Sequence, residues 1–397
     1  MPTAVIVDAV RTAGGRRHGK LSGWHPVDLA AEVLKALVER NDLDPAVIDD
    51  VIMGCVMQVG AQAVNIARNA VLAAGFPETV PGTTVDRQCG SSQQALHFAA
   101  QGVIAGAYDV AIASGIEVMS LVPMGASIGQ GVGLPFGPTV GKRYEPVGGL
   151  VPQGISAEMI ADKWNLSRED LDGFSAQSHQ RAARATAEGR FEREILPVAL
   201  KHKDKETGKV TESEELVTAD EGIRPDSTVE TLGKLKPSFK PDGKITAGNS
   251  SQITDGASAV LVMSEEKASA LGLTPRARFH SFALAADDPQ IMLTAPIPAT
   301  AKVLERGKLT IDDIDLVEIN EAFAPVVLAW AKEHRPDMEK VNVNGGAIAL
   351  GHPLGCSGTK LMATLVNELE RTGGRYGLQT MCEGGGMANA TIIERLG

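Results

Sequence analysis

The stretches Ile48-Asp49-Asp50-Val51-Ile52 and Ile314-Asp315-Leu316-Val317-Glu318 open two predicted strands in opposite parts of the chain. Outward from each stretch, short apolar runs alternate with apolar residues at helical spacing. This alternation predicts parallel strands joined by crossover helices. The last third repeats the element order of the first, so the sequence predicts a duplicated α/β fold, although residue identity between the two parts is faint.

The predicted elements follow one order in both parts. The first part has a strand at the start of the chain, a helix through 29–37, a strand at 51–56, a helix at 66–72, a strand at 82–85, a helix through 95–103 and a strand at 109–113. The last part has a helix at 299–304, a strand at 316–319, a helix at 322–333, a strand at 341–343, a helix at 359–369 and a strand at 376–382. Residues 120–249 interrupt the order with a Gly/Pro-rich run (124–154), a helical stretch (156–188) and a charged segment (201–215) that we interpret as a solvated hairpin. We interpret the interruption as an inserted lid or binding region.

The 397-residue chain carries a net charge of −11, and only 4% of its residues are aromatic. It has neither a basic stripe with interleaved aromatics nor a run of roughly 20 apolar residues, so we expect no nucleic-acid partner and no membrane span. The chain opens directly on a predicted strand, without a leader-like segment, and a cytoplasmic location is therefore the expectation.

The four cysteines lie at 55, 89, 356 and 382 and form no C-x-x-C pair, so we expect neither a zinc site nor a disulfide framework. Cys89 differs from the others because it lies between a predicted strand and a predicted helix that begins near Gly90. Free N–H groups and the positive end of the helix dipole favour a thiolate at such a position. The sequence therefore predicts a nucleophile at Cys89.

Three further polar segments follow predicted strands or form tight turns, at 320–324, 351–358 and 382–386. Open α/β folds place ligands and catalytic groups at such positions. Each segment also has a simpler explanation: His352 could cap a helix, Asn320 could end a strand, the glycines at 384–386 could form a hairpin turn, and a lone cysteine such as Cys55 or Cys356 is more often a small buried apolar residue. If the chain had no catalytic site, all of these simpler explanations would have to be correct at once. The combination of residues therefore favours a catalytic site.

Four motifs resemble the thiolase family: Cys89-Gly90-Ser91-Ser92, Asn320-Glu321-Ala322-Phe323-Ala324, Gly351-His352-Pro353-Leu354-Gly355-Cys356-Ser357-Gly358 and Cys382-Glu383-Gly384-Gly385-Gly386. The similarity spans essentially the whole chain. Asp220-Glu221-Gly222-Ile223-Arg224 and Gly248-Asn249-Ser250-Ser251-Gln252 resemble degradative 3-ketoacyl-CoA thiolases more than biosynthetic acetoacetyl-CoA enzymes. Ser92, Gln93-Gln94 and Gln153 depart from the usual family pattern.

The resemblance implies a five-layered αβαβα fold with two duplicated mixed-sheet halves and an inserted loop domain. Residues 1–119 and 250–273 would form the N-terminal half, residues 120–249 the inserted CoA-binding domain, and residues 274–397 the C-terminal half. The family's usual assembly implies a homodimer or a homotetramer.

The resemblance also implies roles for individual residues. Cys89 would carry the acyl group, His352 would activate it, His352 and a water held by Asn320 would stabilise the enolate, and Cys382 would act as acid and base. The N–H groups of Cys89 and Gly384 would hold the tetrahedral oxygen. Ser251 would contact the pantetheine arm of CoA and Arg224 its nucleotide end, although Arg224 could instead form a surface salt bridge. Lys234, Lys236 and Lys240 could supply positive potential or could simply be solvated. We expect no metal and no bound cofactor, with coenzyme A as a co-substrate.

The implied reaction is thiolytic cleavage of a 3-ketoacyl-CoA to acetyl-CoA and a shortened acyl-CoA. Condensation of two acetyl-CoA molecules would use the same residues in reverse and remains an alternative. A decarboxylating ketoacyl synthase lacks the second thiol, so Cys382 argues against that class. A non-catalytic CoA- or lipid-binding protein would be expected to lack the cysteine or the histidine. The Gly-rich lid from Gly125 to Gly149 is the basis for a further hypothesis, that long or ring-bearing acyl groups are accepted.

Overall fold

The structure is a computed structural model that describes residues 2–128, 131, 133–204 and 207–397. The elements up to residue 118 are β1 (Ala4–Thr12), β2 (Gly15–Arg16), α1 (Pro26–Arg40), β3 (Asp50–Gly54), α2 (Ile66–Ala73), β4 (Gly82–Val85), α3 (Ser91–Ile104) and β5 (Val110–Val118). The middle of the chain forms α4 (Pro138–Tyr144), α5 (Gln153–Lys163), α6 (Arg168–Ala187), β6 (Ile195–Leu196), β7 (Val198–Lys203), β8 (Val210–Val217) and α7 (Val229–Gly233). The remainder forms β9 (Thr254–Ser264), α8 (Glu265–Ala270), β10 (Ala277–Ala286), α9 (Pro296–Gly307), β11 (Leu316–Ile319), α10 (Ala324–His334), α11 (Ala347–Leu350), α12 (Ser357–Thr372), β12 (Tyr376–Glu383) and β13 (Met387–Arg395).

The predicted duplication is confirmed by the strand order. The first half runs β4-β3-β5-β9-β1, and the second runs β11-β12-β13-β10 with the same mixture of parallel and antiparallel neighbours. The counterpart of β4 in the second half consists of one parallel bridge between Val317 and Val341. The prediction of a strand at 341–343 is therefore wrong. A short antiparallel pairing of β1 with β10 joins both halves into one mixed sheet.

The layers follow from alternation along the strands. In β1, Val5, Val7 and Val10 pack toward α1, whereas Ala4, Ile6 and Ala9 pack toward α3 and α12. The second half packs its other face against α9 and α10. Helices α3 and α12 thus lie between the strands of the two halves, with helices outside each, which gives the five layers that the family resemblance implies.

The interrupting region is part helical and part hairpin. The helical stretch predicted at 156–188 is divided into α5 and α6, and Ser167 begins α6 with a capping box that includes Asp170. The predicted hairpin is confirmed, because β7 and β8 form an antiparallel pair. Most residues of β8 are exposed. After this region the chain returns to the first half of the sheet, where β9 pairs with both β1 and β5.

Candidate active site

Cys89 lies in the turn between β4 and α3, as the sequence predicts. The chain reverses at Gln88, which adopts a left-handed backbone with φ of 48°. The Ser91 hydroxyl stabilises this turn by donating to the Gln88 carbonyl (2.6 Å) and accepting from the Arg87 N–H (2.9 Å). Cys89 is therefore held at the start of a 14-residue helix, with only 5% of its surface exposed.

Two amide groups face the sulfur of Cys89. The N–H groups of Cys89 and Gly384 both hydrogen-bond to it and lower its pKa, but burial has the larger effect and the Glu383 carboxylate adds to it, so the pKa is raised to about 12. The stabilisation of a thiolate expected from the start of the helix is therefore outweighed by burial.

Cys382 is fully buried at the end of β12, directly before the turn at 384–386. Its pKa is raised well above the usual value, first by burial and then by the negative charge of Cys89 and of Glu383. The interaction between the two thiols places them in one site. Neither thiol is ionised at rest, so each can act as a proton donor.

His352 is buried beside Asn320. The Ser357 hydroxyl donates to the Pro353 carbonyl (2.8 Å), so it must accept from Nδ1–H of His352 at 2.5 Å. Nε2 then carries the lone pair and accepts from the Asn320 amide at 3.4 Å. Burial, together with the positive charge of Lys360, lowers the imidazole pKa to about 3. His352 is consequently a neutral base. Among the described residues, its ring hydrogen bonds go to Ser357 and Asn320 and not to Cys89.

Asn320 and Cys382 lie at the carboxyl ends of neighbouring parallel strands. The Asn320 N–H donates to the Thr380 carbonyl (3.1 Å), which continues the β11–β12 ladder toward Cys382. The Asn320 side-chain oxygen is buried without a partner among the described residues. A buried acceptor in this state is a suitable partner for a bound water.

The residues predicted to contact CoA line one cavity. Ser251 and Arg224 both border a cavity of about 770 Å³, together with Arg16, Arg17 and Gln252. Arg224 has no carboxylate within salt-bridge distance in the described ranges, so the surface salt bridge considered for it is not formed. The main-chain N–H of His352 donates to the main-chain carbonyl of Gln252 at 3.1 Å, which connects the cavity wall to the main chain at His352.

The lysines considered as a source of positive potential do not border this cavity. Lys234 lies 3.8 Å from Glu230, and Lys240 lies 3.4 Å from Asp162. Positive charge at the cavity comes instead from Arg16, Arg17 and Arg224.

Sequence reasoning missed four residues that shape this site. Ser357 and Glu383 lie inside motifs that were singled out for other members, and Gln252 ends the motif at 248–252. Lys360 follows the histidine motif by two residues and carried no signal of its own. Ser357 could have been found from its position five residues after His352, since a hydroxyl there can hydrogen-bond to the imidazole.

Membrane-spanning helices and metal-binding clusters are both absent from the described residues. No helix in the described part of the chain is long and apolar enough to cross a membrane. In the same residues no group of three or more His, Cys, Asp and Glu side chains has a metal-binding arrangement. The prediction that no metal is needed stays a prediction.

A duplicated α/β fold with two interacting thiols, and with an imidazole hydrogen-bonded to an amide at the end of the strand beside the second thiol, defines a class of cysteine-dependent acyltransferases. The family models of the thiolase N-terminal domain and the thiolase C-terminal domain match residues 4–266 and 273–395. The chain belongs to the thiolase family.

Relatives with curated names cover the whole chain. A steroid 3-ketoacyl-CoA thiolase of Mycobacterium tuberculosis is 52% identical over 100% of this chain and 95% of its own. A 3-ketoacyl-CoA thiolase of Photobacterium profundum is 48% identical over 100% of both chains. The crystal structure of the Bacillus anthracis acetyl-CoA acetyltransferase matches with a TM-score of 0.89 and 40% identity, over 100% of this chain and 99% of that one.

Proposed function

We propose that the protein is a 3-ketoacyl-CoA thiolase, an acetyl-CoA C-acyltransferase that works through an acyl-Cys89 intermediate. The observation that carries the proposal is the pair of interacting thiols, Cys89 and Cys382, with two backbone N–H groups directed at the first sulfur. A condensing or cleaving acyltransferase needs one thiol to hold the acyl group and a second group to move a proton at carbon.

The proposed first half-reaction starts from a neutral thiol and a neutral imidazole. The raised pKa of Cys89 and the lowered pKa of His352 leave both groups neutral at rest. A proton therefore has to leave Cys89 before it can act as a thiolate, and it passes to Nε2 of His352 as the sulfur attacks the C3 carbonyl. Cleavage of the C2–C3 bond leaves an acyl thioester on Cys89 and the enolate of acetyl-CoA. The Cys382 thiol then gives its proton to C2, and acetyl-CoA departs.

The second half-reaction restores the enzyme. The Cys382 thiolate takes the thiol proton of an incoming CoA, whose sulfur attacks the acyl thioester. Cys89 leaves as a thiolate and recovers the proton from His352. Asn320, through its unpartnered oxygen, would hold the water that helps His352 to stabilise the enolate. Gly384 and Cys89 would supply the N–H groups for the tetrahedral oxygen, and loss of one such donor typically lowers the rate by about 10²–10³.

We propose that coenzyme A occupies the cavity bordered by Ser251 and Arg224. Arg16, Arg17 and Arg224 supply positive charge for the phosphates, which the net charge of −11 does not. We further propose that residues 120–249 form the CoA-binding domain, residues 1–119 with 250–273 the N-terminal half, and residues 274–397 the C-terminal half. Pairing of β9 with β1 and β5 supports the assignment of 250–273 to the first half.

A large acyl group is the proposed substrate class, since the relative that is 52% identical is named a steroid 3-ketoacyl-CoA thiolase. The hypothesis that long or ring-bearing acyl groups are accepted rests on the Gly-rich lid from Gly125 to Gly149. Residues 129, 130 and 132 of this lid lie outside the described residues. Acetoacetyl-CoA synthesis is the second candidate, favoured by the similarity to an acetyl-CoA acetyltransferase structure.

We also propose a homo-oligomer that works in the cytoplasm. Strand β4 is one edge of the sheet, and three exposed apolar side chains lie on α2, on α3 and in the turn before α2: Leu72, Phe98 and Val64. An exposed edge strand with apolar neighbours favours pairing with a second copy. The four free, buried cysteines fit a reducing compartment.

The test compares cleavage of 3-ketoacyl-CoA substrates, from four carbons to ring-bearing acyl groups, with free CoA present. Wild-type protein is expected to release acetyl-CoA and to form an acyl adduct on Cys89 that mass spectrometry detects. Cys89→Ala should form no adduct. Cys382→Ala should acylate slowly and fail to exchange the C2 protons of acetyl-CoA with deuterium.

Cys55→Ala is the matched control, because this thiol is also buried but, within the described part of the chain, accepts a hydrogen bond only from the Gln62 amide (3.4 Å). It should retain wild-type turnover. Equal acylation defects in Cys89→Ala and Cys382→Ala would contradict the proposed division of roles, and absence of any cleavage by wild type would contradict the function. A strong preference for the four-carbon substrate would count against the large-substrate proposal.

A further inference from the structure

The four successive main-chain carbonyls of residues 348–351, directly before His352, are all held by two side chains. The amide nitrogen of Gln252 lies 2.7 Å from the carbonyl oxygen of residue 348 and 3.3 Å from that of residue 349. The ammonium of Lys360 lies 2.7 Å from the carbonyl oxygen of residue 350 and 3.0 Å from that of residue 351. We call these two side chains the carbonyl clamp.

The main chain at this point needs such partners. Helix α11 has four residues, so its last carbonyls have no following turn to accept hydrogen bonds from. Gly351 then takes a left-handed φ of 81°, which turns the chain into His352. Without the clamp, the four carbonyls before His352 would lose the side-chain donors that they share.

Lys360 is an unusual choice for this task. Its side chain is only 5% exposed and has no carboxylate within salt-bridge distance in the part of the chain described. Burying an ammonium without a paired carboxylate is unfavourable. Its charge faces Asp220, Arg11, Glu194 and Cys356, and burial lowers its pKa to about 8.

Gln252 connects the clamp to the cavity. Its amide nitrogen also lies 2.8 Å from the carbonyl oxygen of Gly222, and its main-chain carbonyl accepts the main-chain N–H of His352 at 3.1 Å. Gln252 also borders the cavity assigned above to coenzyme A. Gln252 therefore contacts the cavity wall and α11 through its side chain, and the histidine segment through its main chain.

We propose that Lys360 and Gln252 are positioning residues that fix the main chain before His352 and so hold its imidazole between Ser357 and Asn320. This inference rests on the proposed thiolase function. The charge of Lys360 has a second effect, because it adds to burial in lowering the pKa of His352 and keeps the ring a neutral base. Small displacements of a catalytic group can lower a rate about 10²-fold.

The decisive variant is Lys360→Met, which removes both the donors and the charge at similar volume. We expect kcat to fall about 10- to 100-fold while KM for both substrates stays within about threefold. The acid limb of the kcat profile should move to higher pH, since the imidazole pKa rises when the neighbouring positive charge is removed. Lys360→Arg, which keeps the charge and the donors, should recover part of kcat and restore the limb.

Lys340→Met is the matched control. Lys340 also donates to a main-chain carbonyl, that of Ile314 at 3.0 Å, but it lies away from the site. It should behave as wild type in kcat and in pH profile. Gln252→Leu serves where Lys360→Met does not fold, and it should lower kcat without moving the acid limb, because no charge is changed.

Wild-type kcat and an unmoved acid limb in Lys360→Met would overturn the inference. If wild type cleaves no 3-ketoacyl-CoA, the proposed function fails instead. The inference can then be tested without turnover, by NMR titration of ring-labelled histidine assigned with His352→Asn. A higher His352 pKa in Lys360→Met than in wild type supports it, and an equal pKa overturns it.

Discussion

Two effects of opposite sign act on the sulfur of Cys89. The start of helix α3 and the N–H groups of Cys89 and Gly384 favour its thiolate. The helix start can be inferred from a Cys-Gly-Ser-Ser sequence after a strand, whereas the Gly384 N–H comes from the other half of the chain. Burial and the Glu383 carboxylate oppose the thiolate and have the larger effect. The sign of the pKa shift was therefore mispredicted, because burial depends on residues brought from distant parts of the chain.

Glu383, which opposes ionisation of Cys89, is itself a buried carboxyl group. It is buried on the face of β12 that meets the start of α3, and neither carboxylate oxygen has a hydrogen-bond partner among the described residues. A Cβ at Gly90 would lie 2.1 Å from one of these oxygens, so only glycine leaves room for the carboxyl group there. Burial raises the Glu383 pKa to about 8, although Arg87 lowers it.

Glu383→Gln is expected to make Cys89 more reactive toward iodoacetamide above pH 8. There the wild-type carboxyl is ionised and raises the thiol pKa, whereas the amide is neutral. A decrease of one pKa unit gives up to about a tenfold higher thiolate fraction, so we expect a roughly three- to tenfold faster alkylation at pH 9. Below pH 7 the carboxyl is protonated, and the difference should disappear.

The matching control is Glu394→Gln, since Glu394 lies near the end of β13 in ion pairs with Arg278 and Arg375, away from the thiols. It should alkylate at the wild-type rate at every pH. Equal rates for Glu383→Gln and wild type at pH 9 would show that the carboxylate does not act on Cys89. The alkylated residue is identified by peptide mass spectrometry.

Helices α3 and α12 are the elements that bring the two halves of the site together. The Ser92 hydroxyl accepts from the Thr359 N–H at 3.0 Å, which links the first turns of both helices. Ser92 departs from the small residue usual in the family, and this contact explains why a hydroxyl is accommodated there. Sequence reasoning predicted both helices, but it could not predict how closely their N-termini approach.

Gly358→Ala tests that approach. A Cβ at Gly358 would lie 2.1 Å from the main-chain nitrogen of Gln93, so the two helices would have to move apart. Overpacking of this kind costs about 1–3 kcal/mol, and more when main chain is the obstacle. We expect the melting temperature to fall by several degrees and turnover to fall with it, because Cys89 and His352 precede the two helices.

Gly141→Ala is the control, because Gly141 lies within the exposed helix α4 and a Cβ there would meet nothing within 4 Å. Alanine favours a helix over glycine by about 0.5–1 kcal/mol, so its melting temperature should be unchanged or slightly higher. Similar melting curves for the two variants would show that the helices tolerate the added methyl group.

The whole molecule depends on contacts that link distant parts of the chain. The order of elements and the duplication were predictable from the sequence because both follow from local patterns of apolar residues. The joining of both halves into one sheet was not, since it depends on two paired positions, Val5 with Arg278 and Ile6 with Ala277. Pairings this far apart in sequence leave no local signal.

Arg11 is a second long-range link, and its loss should weaken the molecule as a whole. Its fully buried guanidinium on β1 contacts Asp220 at 2.8 Å and Glu194 at 2.7 Å, both in the segment between α6 and α7. The two carboxyl groups respond differently: the pKa of Asp220 is lowered because Arg11 and Lys360 outweigh its burial, whereas burial raises the pKa of Glu194. Arg11 therefore stabilises mainly the charge of Asp220, which begins the motif leading to Arg224.

Arg11→Met should leave both carboxylates buried without their guanidinium, which typically costs about 3–5 kcal/mol. Without Arg11 the pKa of Asp220 should rise, so the folded state binds a proton that it does not bind in wild type. The loss of stability should be largest at pH 8 and smaller near pH 4.5, where protonation removes the unpaired charge. Thermal unfolding across this range measures the effect, with Arg375→Met as the exposed control that should change little. A loss in Arg11→Met that is the same at both pH values would contradict the assignment of the effect to buried carboxylates.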